Sequence, residues 1–107
     1  MNQLELNKAV SEAYGIKPIS YGLADTTSKD KFNSHIIAIP LHQDTLTLFR
    51  LCIEHAVSLD FTYTVVYVVY SSYVGSSGYY KDYPTKELAT CSAMFAALAK
   101  LKGIENE

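Results

Sequence analysis

The chain has 107 residues, of which 49% are hydrophobic and 19% charged, so we expect one folded domain over residues 1–107 rather than a disordered or fibrous protein. Nine basic and eleven acidic residues give a net charge of −2, which disfavours sequence-independent binding to duplex nucleic acid. Two cysteines are too few for a disulfide scaffold, so we expect both to be reduced.

Two segments bear on targeting. The N-terminal residues contain no apolar core, so we expect no secretory signal peptide. Residues 61–80 carry no Asp, Glu, Lys or Arg, but their continuous apolar run covers only residues 65–70. That run is far shorter than the roughly 20 residues of a membrane-spanning helix. We therefore expect a cytoplasmic protein that makes no membrane contact.

The first predicted element is a helix over residues 3–14. Asn2 is a suitable N-cap residue, and Glu5 lies three positions later, as in a capping box. Leu6 and Val10 lie on one face of this helix, and Gly15 supplies the left-handed residue at which helices end.

The segment between this helix and the next is rich in polar residues, proline and glycine, which predicts a loop over residues 16–35. A short strand over residues 19–23 is an alternative within it. We expect a second short strand over residues 35–39, which ends at Pro40 because proline cannot donate to a strand ladder.

A second helix is predicted over residues 44–59, with Asp44 as its N-cap. Its polar face is thin, so we expect burial on more than one side. The apolar stripe of this helix has a central part and a flanking part, formed by Leu46, Phe49, Ile53, Ala56 and Val57 and by Leu48, Leu51 and Cys52.

The strongest β signal follows over residues 61–72, which are rich in Val, Thr and Tyr. Both faces of this predicted strand are largely apolar, so we expect a central strand that is covered on both sides. The Gly-Ser-Ser-Gly segment at residues 75–78 predicts a turn, and residues 79–83 are expected to pair back as a hairpin.

The last predicted helix opens with Pro84 and Thr85 and ends at Gly103. It is rich in alanine, whose small side chain allows a helix to approach a sheet closely. The elements together predict an α+β fold, in which a small antiparallel sheet is layered with three helices, expected on both of its faces. Exposed sheet edges in so small a sheet also favour a homodimer.

Three segments of the sequence resemble small phage-encoded proteins. The first is Ala-Val-Ser-Glu-Ala-Tyr-Gly at residues 9–15, and the second is Pro40 with Asp44 four positions later. The third begins at Tyr83-Pro84 and continues through an alanine-rich helix to Lys-Gly at residues 102–103. This pattern is similar to the phage alpha-beta-alpha sandwich domain and the NinX-like phage proteins. The resemblance implies a phage or prophage origin, and it carries over no catalytic residue.

Seven of the nine tyrosines fall within residues 63–83. Tyr63 and Tyr67 lie on the more apolar face of the predicted strand, so we expect them to be packed. Tyrosines beside serine and glycine near a turn are typical of a binding surface, although packing explains the same pattern. The candidate binding surface consists of Tyr70, Tyr73, Tyr79, Tyr80, Lys81 and Tyr83.

Signals for catalysis, metals and cofactors are weak. No phosphate-binding glycine motif and no zinc-ligand spacing occurs in the sequence, so we expect no cofactor and no metal. Cys52 and Cys91 lie in apolar helix stripes, where buried thiols are inert. Only Cys52, His55 and His42 form a group worth testing for a metal- or cysteine-dependent enzyme.

Two other classes of function rank above an enzyme. The first is a stoichiometric inhibitor of a host defence complex, of the anti-CRISPR or another anti-defence type, which binds through the tyrosine-rich surface. The alternative is a protein that binds or sequesters a small molecule or a nucleotide signal, for which tyrosine rings supply stacking surfaces.

Overall fold

The computed structural model describes residues 2–16, 39–70 and 73–104, and of Tyr73 and Val74 it describes the backbone. It confirms the predicted α+β class, with three helices and a three-stranded antiparallel sheet. The elements in chain order are α1 (Gln3–Ala13), α2 (Thr45–Glu54), β1 (Ser58–Phe61), β2 (Val65–Tyr70), β3 (Tyr73–Tyr79) and α3 (Lys86–Leu101). Short 3₁₀ turns lie at Leu41–Gln43 and Tyr80–Asp82. Among the helices described, none has the length and apolar character needed to cross a membrane.

The predicted loop over residues 16–35 and the two strands expected over residues 19–23 and 35–39 lie outside the described residues, apart from Ile16 and Ile39 at their ends. The first helix is confirmed, including its capping box. The Asn2 side chain accepts a hydrogen bond from the Glu5 N–H at 2.8 Å, and the Glu5 carboxylate accepts one from the Asn2 N–H at 3.1 Å. These two bonds satisfy donors that a helix start otherwise leaves unpaired.

The second helix ends earlier than residue 59, because it closes at Glu54 in a left-handed turn. Ala56 has φ +58°, and the Val57 N–H donates to the Cys52 carbonyl at 2.8 Å. This is the Schellman arrangement that also ends α1 at Gly15 and α3 at Gly103, both with φ +72°. Alanine in the position that usually holds glycine gives no sequence signal, so the helix prediction ran on into β1.

The strand predicted over residues 61–72 begins with the last residue of β1, and β2 occupies only residues 65–70 of it. β1 pairs with β2 from Ser58↔Val69 to Phe61↔Val66, and residues 62–64 form the turn between them. β2 is central in the order β1-β2-β3, as predicted.

The Gly-Ser-Ser-Gly segment is not a turn, because it lies inside β3. Gly78 pairs with Val66, and Ser76 pairs with Val68. The strand must be built from small residues because α3 lies directly against it. A Cβ atom on Gly78 would collide with the Ala89 carbonyl, and the Ser76 hydroxyl donates a hydrogen bond to the Ala93 carbonyl. Residues 79–83 therefore do not form the return strand of a hairpin: Tyr79 is the last residue of β3, and the chain leaves the sheet in the 3₁₀ turn Tyr80–Asp82.

Helix α3 is the middle layer of the described structure. One side of it packs on β2 and β3 through Ala89, Ala93 and Ala97, all fully buried, and another side contacts α2. A helix surrounded in this way is apolar all round. The expected helices on both faces of the sheet are not found among the described residues, where α3 is the helix packed on the sheet. On the opposite face, Tyr67 and Val69 are half-buried beside exposed Asp60.

Candidate interaction surface

The six residues of the candidate binding surface do not form one surface. Tyr70 and Tyr73 pair with each other where β2 is followed by β3. Tyr79 lies at the other end of β3, about 20 Å away for six residues of extended strand, and Tyr80, Lys81 and Tyr83 follow it. The structure therefore divides the predicted site between the two ends of the sheet.

Tyr70 faces inward. Its ring lies beside Gly75 and packs against the hydrophobic core, and any side chain at residue 75 would collide with it. For Tyr70 the packing explanation is therefore correct.

Tyr80 and Tyr83 connect the 3₁₀ turn to α3. The Lys86 ammonium lies 5.2 Å from the centroid of the Tyr80 ring, and the Tyr83 hydroxyl is 2.7 Å from the Ser92 hydroxyl. Both tyrosines are half-buried. Their main contacts are with α3, although Tyr80 also lines the groove described next.

An open groove of about 430 Å³ lies at the end of the sheet that carries the β1–β2 turn. We call it the tyrosine groove, and it is lined by Tyr63, Thr64, Tyr79, Tyr80 and Lys81. Tyr63 is 97% exposed and Tyr79 is 48% exposed. Phe61, the last residue of β1, is also exposed at this end of the sheet. Within the described residues, three exposed aromatic side chains thus lie together around a residue that we expected to be packed.

The turn that carries Tyr63 is closed by the side chain and backbone of Thr62. The Thr62 hydroxyl donates to the Val65 carbonyl at 2.7 Å and accepts from the Val65 N–H at 3.1 Å. The Thr62 N–H also donates to the Val65 carbonyl at 3.0 Å. These bonds fix a tight four-residue turn, which leaves the Tyr63 ring projecting into solvent.

Thr62 is the sequence signal for this turn, because a threonine hydroxyl can close a turn by bonding to nearby backbone groups. The same residues have high β propensity, so the segment was predicted as a strand. Because the end of α2 was placed five residues too late, β1 was missed and Tyr63 was assigned to the middle of a strand.

A second apolar surface lies on α2. Leu48, Leu51 and Cys52 are buried as predicted, whereas Leu46, Phe49 and Ile53 are exposed. The expectation that the whole stripe is buried is therefore wrong for Leu46, Phe49, Ile53 and Ala56, whereas Val57, which follows the helix, is buried.

Neither cysteine has the environment of an activated nucleophile. Burial raises the pKa of Cys52 to about 11, and it also raises the pKa of Cys91, so both groups are neutral thiols at pH 7. Cys91 lies 3.0 Å from the Thr45 hydroxyl, and Cys52 is in the hydrophobic core.

The two described histidines contact different residues. His42 lies 3.0 Å from the Asn7 amide, whereas the His55 ring packs edge-on against Tyr14 with 5.0 Å between centroids. Among the residues that the structure describes, no group of three potential metal ligands converges. The tyrosine groove and the exposed apolar residues of α2 are therefore features of the described structure that call for a functional explanation.

Comparison of the chain with family models, curated proteins and solved structures finds no match. The resemblance to phage proteins stays a prediction.

Proposed function

We propose that the protein acts by binding one protein partner stoichiometrically, with Tyr63 as the central anchor and Tyr79 beside it. The observation that carries this proposal is the 97% exposure of Tyr63 on a turn that three hydrogen bonds hold closed. Tyrosine is enriched among the residues that contribute most to protein interfaces, because it has a large apolar ring and a polar end.

The turn favours binding because its hydrogen bonds fix the backbone that carries the Tyr63 ring before a partner binds. A side chain on a fixed turn loses less conformational freedom on association than one on a loose loop. Tyr63 projects from the surface and does not line a closed cavity, so its expected counterpart is a pocket on the partner.

The charge around the groove favours a protein over a nucleic acid. Lys81 lines the groove, and the Lys86 ammonium is placed over the Tyr80 ring. Exposed Asp82 lies next to Lys81 in the chain, so the local charge is mixed. Binding of a nucleic acid strand needs a continuous positive path for its phosphates, which these residues do not supply.

A nucleotide is the second candidate ligand, because three tyrosine rings, one threonine and one lysine line the groove. Such a ligand would stack its base and pair its phosphate with Lys81. Thermal stabilisation by nucleotides that disappears in Lys81→Ala and Tyr79→Ala favours this alternative.

The identity expected for the partner comes from the resemblance to phage proteins. Within this proposal the partner is a host defence complex, whose activity the protein blocks by occupying a functional surface. A protein that blocks a complex by occupying its surface acts in proportion to its amount, so inhibition should saturate at a fixed molar ratio.

The test is affinity capture from a bacterial lysate, followed by native mass spectrometry. Wild type should retain one partner at a fixed ratio, and the double variant Tyr63→Ser/Tyr79→Ser should lose it. Ile53→Ser on α2 is the matched control, because it also removes an exposed apolar side chain. Retention of the partner by a folded double variant, or its loss only in the Ile53 variant, would contradict the proposal.

A further inference from the structure

We propose that the hydrogen bond between Asn7 and His42 is a pH-sensitive latch, which holds the N-terminal half of α1 on the body of the fold and opens when His42 is protonated. The latch joins α1 to the 3₁₀ turn Leu41–Gln43, which in turn packs against α2 and α3. The inference is independent of the proposed partner.

The hydrogen-bond pattern requires a neutral His42. The Asn7 amide is 2% exposed, and its oxygen accepts from the Gln3 amide nitrogen at 3.1 Å. The Asn7 nitrogen is therefore the group that lies 3.0 Å from His42 Nδ1, and an amide nitrogen can only donate. Nδ1 must accept, so its proton-free form is the one that makes the bond.

Protonation would place a hydrogen on Nδ1 and set two donors against each other. The buried Asn7 amide would then lose its partner, which costs more than the bond itself contributes. Burial lowers the pKa of His42, which agrees with a site that favours the neutral ring.

The groups that contact His42 are neutral, so they would not stabilise the positive charge of a protonated ring. α1 contributes the neutral Asn7 and, through it, Gln3, and α3 contributes the Phe95 ring, 6.3 Å away between centroids. Asp44, which caps α2, uses its carboxylate to accept from Thr47. Within the described ranges, no charged side chain of the three helices or of the cap residue Asp44 forms a hydrogen bond or ion pair with His42. The charged side chains of the helices are Glu5, Lys8, Glu12, Arg50, Glu54, Lys86, Glu87 and Lys100. The Cys91 thiol lies against the Thr45 hydroxyl.

The sign of the pH dependence follows from linkage. A folded-state pKa below the ordinary value of 6.5 means that the folded protein binds fewer protons than the unfolded chain. The contribution of neutral His42 to the free energy of unfolding is therefore complete above pH 6.5 and decreases as the pH falls below 6.5. The decrease stops once His42 is protonated in the folded protein as well. The loss should be concentrated in α1, because Asn7 belongs to that helix.

The test is amide hydrogen exchange at pH 7.5 and pH 5.5, corrected for the intrinsic exchange rates. In wild type, protection of α1 should fall about fivefold at pH 5.5, as expected for the loss of one hydrogen bond, while protection of α3 changes less. His42→Gln keeps an acceptor for Asn7 and cannot be protonated, so protection of its α1 should not depend on pH. His55→Gln is the control, and it should behave like wild type.

Three outcomes would overturn the latch. They are equal loss of protection in α1 and α3, an unchanged pH response in His42→Gln, and constant protection of α1 in wild type. Constant protection of α1 would show that the Asn7 and Gln3 amides rotate together, so that the protonated His42 ring donates to Asn7 instead. Nitrogen NMR of the His42 ring tests the same point without a variant, since Nδ1 must be unprotonated at pH 7.5.

Discussion

The two ends of the sheet contain tyrosines in similar sequence surroundings but use them differently. At the β2–β3 end, Tyr70 lies over Gly75 and packs against the core. At the β1–β2 end, Tyr63 stands 97% exposed on a hydrogen-bonded turn. The difference arises from α3, since its alanine face covers the side of the sheet on which Tyr70 lies. Whether a tyrosine in such a segment stabilises the fold or is available to a partner therefore depends on its position relative to α3.

The closest contact on the packed side gives the largest expected effect. Gly78→Ala places a Cβ against the Ala89 carbonyl, and backbone atoms cannot rotate away. We expect the free energy of unfolding to fall by about 2–3 kcal/mol in chemical denaturation. Ser77→Ala, one residue earlier on the open face, should change it by less than about 0.5 kcal/mol. Equal stability of the two variants would mean that α3 does not lie this close to β3.

Exchange of each tyrosine for alanine tests the comparison itself. Tyr70→Ala should lower the free energy of unfolding by about 2 kcal/mol, because it removes a ring from the edge of the core. Tyr63→Ala should change that free energy by less than about 0.5 kcal/mol while weakening partner binding at least about tenfold. Thermal denaturation of both variants checks the first part, and titration with the captured partner checks the second. A destabilised Tyr63→Ala variant would assign that ring to packing.

The ends of α2 and α3 allow a smaller test with opposite signs. Ala56→Gly should raise the free energy of unfolding by about 1 kcal/mol, because φ +58° is unfavourable for a residue with a Cβ. Gly103→Ala, at φ +72° with no atom near the added Cβ, should lower it by about 1 kcal/mol. Denaturant midpoints measure both. A destabilised Ala56→Gly variant would show that residue 56 is not left-handed in solution.

The expected response to alkali concerns Tyr14, which joins the end of α1 to α3. Tyr14 donates to the Leu98 carbonyl at 2.6 Å, and its burial raises its pKa to about 12, with Cys52 and Tyr70 adding to the shift. A raised pKa gives stability that is complete below pH 10 and is lost as the pH rises towards 12. Tyr14→Phe should be less stable than wild type at pH 8 and should lose less stability between pH 10 and 11.5. Parallel pH profiles for the two proteins would contradict this.

Much of the fold could be predicted because its signals are local. Asn2 with Glu5, Gly15, and Thr85 before an alanine-rich run each mark a helix boundary through their own chemistry. The missed features depend on tertiary contact. Ala56 ends α2 without a glycine, and the small residues of β3 resemble a turn until α3 is placed against them.

The candidate site was only partly predictable for the same reason. Tyr79 and Lys81 could be selected because they lie beside a polar and glycine-rich segment, and both line the tyrosine groove. Tyr63 could not, because its exposure depends on a turn that appears only once β1 and β2 are separate strands. Tyr70 was selected because serine and glycine lie near it in the sequence, but its ring fills the space left by Gly75.

The most direct test of the central claim is site-specific photocrosslinking in bacterial cells. A photoreactive phenylalanine analogue is placed at residue 63, with residue 53 on α2, which is also exposed, as the control. We expect one covalent adduct of defined mass from residue 63 and none of that mass from residue 53. Adducts from residue 53 alone, or none from residue 63 in a folded protein, would show that the tyrosine groove is not the surface on which this protein acts.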